Sequence, residues 1–394
     1  PARGPRLERT GGFPLSTVPE SATTAGSAPH SRGKGRPPLS VTFVIGREAS
    51  REGPTARLGT YRALDGSEGA PLALDIDRPH AALVVGKRGY GKSYTLGVLA
   101  EALARTASVA PVVVDPMGAF GTMAAEATGE AVPATVVADP AVRPDALDPR
   151  SWCALLGLSP ERGAGSLVWQ AASAESTLAA MAQHVAAADA PGPDRRAAAN
   201  HLQLADSWGV FDADALGAAT LGSSEVTVLD VSGLSAAPMN AVVRGVGEAL
   251  YRARIAGDIP RLPWLLVDEA HTFFDGVAAR TLSVLLTRGR APGVSLVLAT
   301  QRPSAVPDVA VSQADVLLSH RLTAERDLEA LRAARPTYMS ASVGERMPTD
   351  PGEVLIVDDA TETVHTARIR ERATPHGGDS PRASELPVAD DTTE

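Results

Sequence analysis

The chain is predicted to fold as an α/β protein around a mainly parallel sheet. Short apolar runs recur between residues 81 and 322 without the polar alternation of a half-solvated strand, so each reads as a strand buried on both faces. Helical stretches separate them, in the order that parallel crossovers require. A glycine-rich turn joins the first of these runs directly to a helix.

Taken in order, residues 1–40 are mostly Pro, Gly, Ser, Thr and Arg, with six basic and two acidic residues and no helical or strand period. They read as a disordered, mildly basic arm. VTFVIG (41–46) and LGTYRALDGSEGAPLALDI (58–76) alternate apolar and polar residues around Gly and Pro turns, which predicts a short N-terminal β segment over 41–78, able to form a small cap. The main domain, 79–370, starts with the strand AALVV (81–85), a helix from Ser93 to about Arg105 and the strand APVVVD (110–115). An Ala-rich region over about 151–220 reads as an inserted helical segment. Strands follow at VTVLD (226–230), PWLLVD (263–268), VSLVLAT (294–300) and DVLLSHRL (315–322), with helices at 238–256, 275–290 and 323–334 between them. EVLIVDD (353–359) and TVHTARI (363–369) read as a terminal hairpin. Residues 371–394, with six acidic and two basic residues, read as a disordered acidic tail.

With 44% hydrophobic and 21% charged residues, the 394-residue chain has the balance of a soluble protein. No apolar run approaches the ~18 residues of a membrane span, and the N-terminus shows no secretory apolar stretch, so the expectation is a cytoplasmic protein without a membrane partner. Cys153 is the only cysteine, which excludes intrachain disulfides and all-cysteine zinc sites; it reads as an ordinary buried residue. A net charge of −9 rules out a generally basic coat for nucleic acid, so any DNA contact must be local. Only three of the 37 basic residues are lysines, and two of them, Lys87 and Lys92, fall within one eight-residue stretch. Where nearly every other basic position is Arg, these two suggest a need for an ammonium group.

That stretch, GKRGYGKS from Gly86 to Ser93, fits G-x-x-x-x-G-K-[ST], the Walker A pattern, between a predicted strand and a predicted helix. Gly86, Gly89 and Gly91 let the backbone curl and turn its N–H groups inward, and the helix N-terminus adds partial positive charge. The matching ligand is a polyphosphate, held by the loop Gly86, Lys87, Arg88, Gly89, Tyr90, Gly91, Lys92, Ser93 and Tyr94. Lys92 would reach the β- and γ-phosphates of ATP, and the Ser93 hydroxyl would ligate Mg²⁺. Lys87 is as readily a solvated loop charge as a ligand.

A Walker B acid should end another buried strand, and WLLVDEAH supplies it: Asp268 for Mg²⁺ and Glu269 to polarise the attacking water. Both also fit a helix cap and first-turn acid, and the two roles are compatible. His271 reads as a packing or linking residue. Thr300, Gln301 and Arg302 follow a third strand, with Gln301 as candidate γ-phosphate sensor. Arg288 or Arg290, in LLTRGRAPG, could be an arginine finger for a neighbouring subunit, or could complement a helix dipole.

Together GKRGYGKSYT, DPMGAF (115–120), VDEAH (267–271), TRGRAPG (287–293), ATQRPS (299–304), SQAD (312–315), HRLTAERD (320–327) and PGEVLIVDD resemble the HerA/FtsK superfamily of ring-forming ATPases, most nearly its HerA branch, over about residues 58–370 except the Ala-rich insertion. The resemblance implies a RecA-like P-loop NTPase core, a homo-hexamer around DNA, ATP hydrolysis between subunits and often a nuclease partner. It assigns phosphate and Mg²⁺ binding to Lys92 and Ser93, Mg²⁺ binding to Asp268, water activation to Glu269, sensing to Gln301 and the trans arginine to Arg290. Asp115 matches an acid at a strand end near the nucleotide, where a capping role fits equally. The function expected is an ATP-hydrolysing DNA translocase or helicase; the alternative is an ATP-dependent switch that recruits a nuclease or other effector. A secretion or conjugation coupling ATPase ranks lower, since those usually carry membrane helices.

Overall fold

The structure is a computed structural model that describes residues 42–48, 51–63, 66–125, 131–333 and 346–377. The basic arm and the tail from residue 378 onward lie outside the described residues. One sheet of twelve strands organises the described chain: β1 (Phe43–Ile45), β2 (Thr55–Arg62), β3 (Glu68–Asp75), β4 (Ala81–Val85), β5 (Val109–Asp115), β6 (Ala134–Val137), β7 (Val226–Asp230), β8 (Leu262–Val267), β9 (Ser295–Thr300), β10 (Val316–Ser319), β11 (Glu353–Asp358) and β12 (Thr363–Ile369). Their spatial order is β1-β3-β2-β12-β11-β10-β4-β9-β8-β5-β7-β6. From β10 to β6 every pairing is parallel, so these strands end at one common edge. The predicted hairpin β11–β12 is antiparallel and links β10 to β2, so β1–β3 extend the same sheet.

The helices are α1 (Lys92–Leu103), α2 (Pro149–Leu155), α3 (Gly163–Ala174), α4 (Leu178–Ala187), α5 (Gly192–Asp206), α6 (Ala218–Leu221), α7 (Ala236–Ala256), α8 (Ala279–Arg288), α9 (Asp308–Ser312) and α10 (Glu325–Ala333). They cover both sheet faces, which explains the unbroken apolar runs. Leu83, Val85, Leu265, Val267, Leu296 and Leu298 point into one core; their neighbours Ala82, Val84, Leu266, Val297 and Ala299 point into the other, against α1. This is the period of two expected of strands, with neither face wet. The Ala-rich segment is helical, as expected. Ala is the best helix former, and Asp148 and Thr177 start α2 and α4 by accepting from Ser151 N and Ala180 N at 3.0 and 3.2 Å. Val168, Met181, Val185 and Leu202 of these helices join the core that α7 and α8 share. Cys153 is buried there as a free thiol.

The chain does not stop packing at residue 370. Glu101 of α1, fully buried, accepts from Ala373 N and Thr374 N at 3.0 Å each, from Thr374 Oγ1 at 2.7 Å and from Arg370 Nη1 at 2.8 Å. Residues 371–377, which the sequence assigns to the acidic tail, thus form a strap across α1. Burial alone would raise the Glu101 carboxyl, but these donors hold it below its usual value. No helix among the described residues is long and apolar enough to cross a membrane.

Candidate nucleotide site

The common edge of the parallel strands gathers the predicted glycine loop, acid pair and Gln301. Gly86 follows β4, Asp268 follows β8 and Gln301 follows β9, and in the sheet these strands are consecutive in the order β4-β9-β8. The loop from Gly86 to Gly91 turns through three positive φ angles, 156° at Gly86, 81° at Gly89 and 110° at Gly91. A Cβ at Gly86 would stand 2.5 Å from the His320 Cβ, whereas one at Gly89 would meet none of the described residues within 4 Å. The loop is therefore tight against β10's end and open where a ligand would approach.

His320, just after β10, is the support on which this loop rests. It is fully buried, its Nε2 is 2.9 Å from Thr95 Oγ1 of α1, and its main-chain N–H donates to Val85 O at 2.8 Å. Burial, with Lys92 adding to it, lowers the imidazole from 6.5 to about 4, so it is neutral at pH 7. No role for His320 or Thr95 was read from the sequence, although both stand in motifs, HRLTAERD and GKSYT, that drew notice.

Lys92, Ser93, Asp268 and Glu269 come together. The Ser93 hydroxyl donates to Asp268 Oδ2 at 2.5 Å, and the Glu269 N–H donates to Asp268 Oδ1 at 2.9 Å. Lys92 Nζ is 3.5 Å from Lys87 O. Burial lowers the Lys92 ammonium and raises the Asp268 and Glu269 carboxyls; the attraction of Lys92 offsets only part of it for the two acids. A cation and two acids, each pushed toward neutrality, are matched by a ligand carrying both signs, an anionic polyphosphate with its divalent cation. For Mg²⁺ the donors are right in kind: a hydroxyl and a carboxylate in contact, both hard oxygen ligands, with too few protein ligands to displace all of its water. No cluster of three or more His, Cys, Asp or Glu able to hold a metal occurs among the described residues.

Glu269 has a left-handed backbone, φ 43° and ψ 43°, strained for a residue with a side chain. Its Oε2 is buried without a hydrogen-bond partner among the described residues, 3.4 Å from His271 Nδ1. Burial lowers the His271 imidazole, so it is neutral, and the same Nδ1 lies 3.3 Å from Thr300 Oγ1. His271 thus links the acidic loop to the end of β9, one of the two roles, packing or linking, expected of it. Glu269 and Gln301 line a cavity of about 380 Å³ with Arg88, Met117, Asn240 and His271. Met117, from the loop after β5, stands in the DPMGAF motif but had no role read for it, and Asn240 of α7 had no motif to mark it.

Other predicted residues stand elsewhere. The Lys87 ammonium sits over the Tyr90 ring, 4.4 Å from its centroid. Tyr94 turns to the strap, its hydroxyl accepting from Arg372 N at 2.7 Å. Asp115 is a cap: it accepts from Met117 N, Ala119 N and Phe120 N at 3.2, 3.0 and 2.8 Å and so shapes the cavity wall. Thr300 Oγ1 accepts from Arg302 N at 3.0 Å, and Arg302 is exposed. Arg290 precedes β9 and is at the opposite edge of the sheet, in an ion pair with Asp315 at 3.1 Å. Arg288 ends α8, exposed.

Residues 57–188 match the family model described as the central domain of the helicase HerA. The chain is similar to the HerA-type P-loop ATPases. The match runs into α2, α3 and α4, helices that the sequence reading placed outside the resemblance. Among solved structures, VirB4 of Thermoanaerobacter pseudethanolicus is 18% identical, with a TM-score of 0.58 over 81% of this chain and 97% of that one. The bacterial conjugative coupling protein TrwB, lacking its first 70 residues, is 14% identical, with a TM-score of 0.54 over 84% and 91%. At these identities the likeness is one of fold, the RecA-like P-loop core. No curated protein matches the chain in sequence.

Proposed function

We propose that the chain is an ATP-driven DNA motor that works as a ring of its own copies, a hexamer as in the HerA resemblance. The observation that carries this reading is the contact of Ser93 with Asp268, 2.5 Å apart, between Lys92 and Glu269: a phosphate lysine, a metal pair and a water-activating acid at one sheet edge. The family match to HerA and the fold shared with a conjugative coupling protein support DNA as the cargo.

The loop N–H groups and Lys92 bind the triphosphate and offset its charge. Ser93 and Asp268 would hold Mg²⁺, which when bound supplies further neutralisation of the phosphate oxygens. Glu269, with an oxygen free to accept and a carboxyl raised by burial, orients the attacking water and takes its proton. Gln301 and the His271–Thr300 link report the state of the γ-phosphate to β9. Arg290 completes the site of the next subunit, so turnover depends on assembly. Sequence-independent grip on the phosphate backbone makes the motor sensitive to salt.

The test is steady-state ATP hydrolysis with and without linear double-stranded DNA, together with the mass of the assembly in ATP. A hexamer whose turnover rises with DNA and falls with added salt is the expected result. A monomer or dimer with slow, DNA-indifferent turnover refutes the motor and leaves a nucleotide switch.

A further inference from the structure

Three residues outside the nucleotide site meet at the other end of the strands that carry it. Arg290 lies ahead of β9, His80 directly ahead of β4 and Asp315 directly ahead of β10, and in the sheet these strands are neighbours. Asp315 Oδ2 is shared: His80 Nδ1 stands 2.8 Å from it and Arg290 Nη2 3.1 Å. His80 and Asp315 are buried, whereas the Arg290 side chain is 58% exposed. The group is thus a fixed base with a solvated guanidinium at its tip.

The base is held from several sides. The His80 main-chain N–H donates to Ser295 Oγ at 3.0 Å, tying β4 to β9. Asp315 N donates to Ala81 O, and Asp359 N to Asp315 O, both at 2.9 Å. Behind the imidazole lies Asp75, 3.8 Å from His80 Nε2 and paired with Arg47 at 3.4 Å and Arg78 at 3.5 Å. Burial alone would lower His80, but Asp315 and Asp75 outweigh it and hold the imidazole above its ordinary value.

We infer that Asp315, anchored by His80, is a positioning residue that holds Arg290 extended from the sheet edge for the nucleotide of the neighbouring subunit. The inference rests on the ring reading above. A latch that withholds Arg290 is the other use of such a pair, and magnitude decides against it. Asp315 is buried but the guanidinium is 58% exposed and screened by water, so the pair is worth ~1 kcal/mol, too little to hold a guanidinium back from a triphosphate, yet enough to bias a flexible side chain toward one rotamer. The contact with Asp315 uses Nη2, and a guanidinium has five N–H donors, so phosphate and carboxylate can be served together.

Asp315→Asn should lower kcat about fivefold, the equivalent of ~1 kcal/mol, with KM and fluorescent-nucleotide affinity unchanged. In an Arg290→Ala background the same substitution should have no further effect. Placed in Lys92→Ala subunits, which act only as arginine donors, it should lower the turnover of wild-type subunits mixed with them. If Asp315→Asn folds poorly, as judged by nucleotide affinity, His80→Asn tests the anchor instead: it leaves the carboxylate but removes the ring that fixes it, and kcat should fall only while Arg290 is present. An equal loss with and without Arg290, or a wild-type kcat for Asp315→Asn, overturns the positioning role. Arg290→Ala turning over at the wild-type rate instead overturns the trans-arginine reading beneath it.

Discussion

Acidification should weaken this fold through His320 before most carboxylates matter. The imidazole is lowered from 6.5 to about 4. As pH falls below 6.5 the unfolded chain takes up a proton that the native chain refuses until about pH 4, so the unfolded state binds more protons and stability falls with pH. Each unit of separation is worth ~1.4 kcal/mol. By about pH 4.5 roughly two units of the window are crossed, a loss of about 2 to 3 kcal/mol relative to a side chain that does not titrate. The assay is urea denaturation of the wild type and of His320→Gln at a series of pH values from about 7 to 4.5. Subtracting one curve from the other cancels Glu101 and the other acids. The difference should shrink toward acid, the wild type losing its advantage as the proton penalty grows. Parallel curves over that range would show that the native imidazole takes up its proton freely, and the reasoning from burial would fail.

Lys92→Ala should abolish nucleotide binding, while Glu269→Gln keeps binding and stops hydrolysis; equilibrium binding and single-turnover hydrolysis separate the two, and equal loss of binding would refute the division of roles. Gly86→Ala drives a Cβ against His320 Cβ, and overpacking of this kind costs ~1–3 kcal/mol, so both the thermal midpoint and nucleotide affinity should drop. Glu101→Gln removes the charge under the strap and leaves Arg370 without its carboxylate, so hydrogen exchange at Ala373 and Thr374 should speed up by at least tenfold, about 1.4 kcal/mol of lost protection.

The central strands were legible because parallel strands buried on both faces become continuous Val/Leu runs, as in PVVVD and WLLVD. The phosphate loop and the acid pair were legible because their chemistry is local: each motif is one turn at one strand end. What escaped was long-range or short. β6 and α9 have four and five residues, too few for a period to show. The strap escaped because an ERATPHG segment reads as solvated until Glu101, 272 residues away from Ala373, is seen to receive it. His320 escaped likewise: nothing in HRL states that an imidazole will lie beneath a glycine that β4 brings from far upstream. Asp315 and Arg290 were both in motifs, but only the strand order β10-β4-β9 makes them neighbours.

β9 runs six residues, Ser295–Thr300, and at ~3.3 Å per residue it is about 20 Å from end to end. It carries Gln301 beyond one end and Arg290 ahead of the other, and it is hydrogen-bonded to β4 and β8 along its sides. Lengthening it by two residues would shift both registers at once, so its length cannot drift as a loop's can. In the proposed ring that strand would act as a gauge: together with residues 291–294 it would set how far Arg290 lies from the nucleotide site of its own subunit. Loops around the sheet are free to vary, but the separation between Gln301 and the start of β9 is written in the number of residues in a single buried strand.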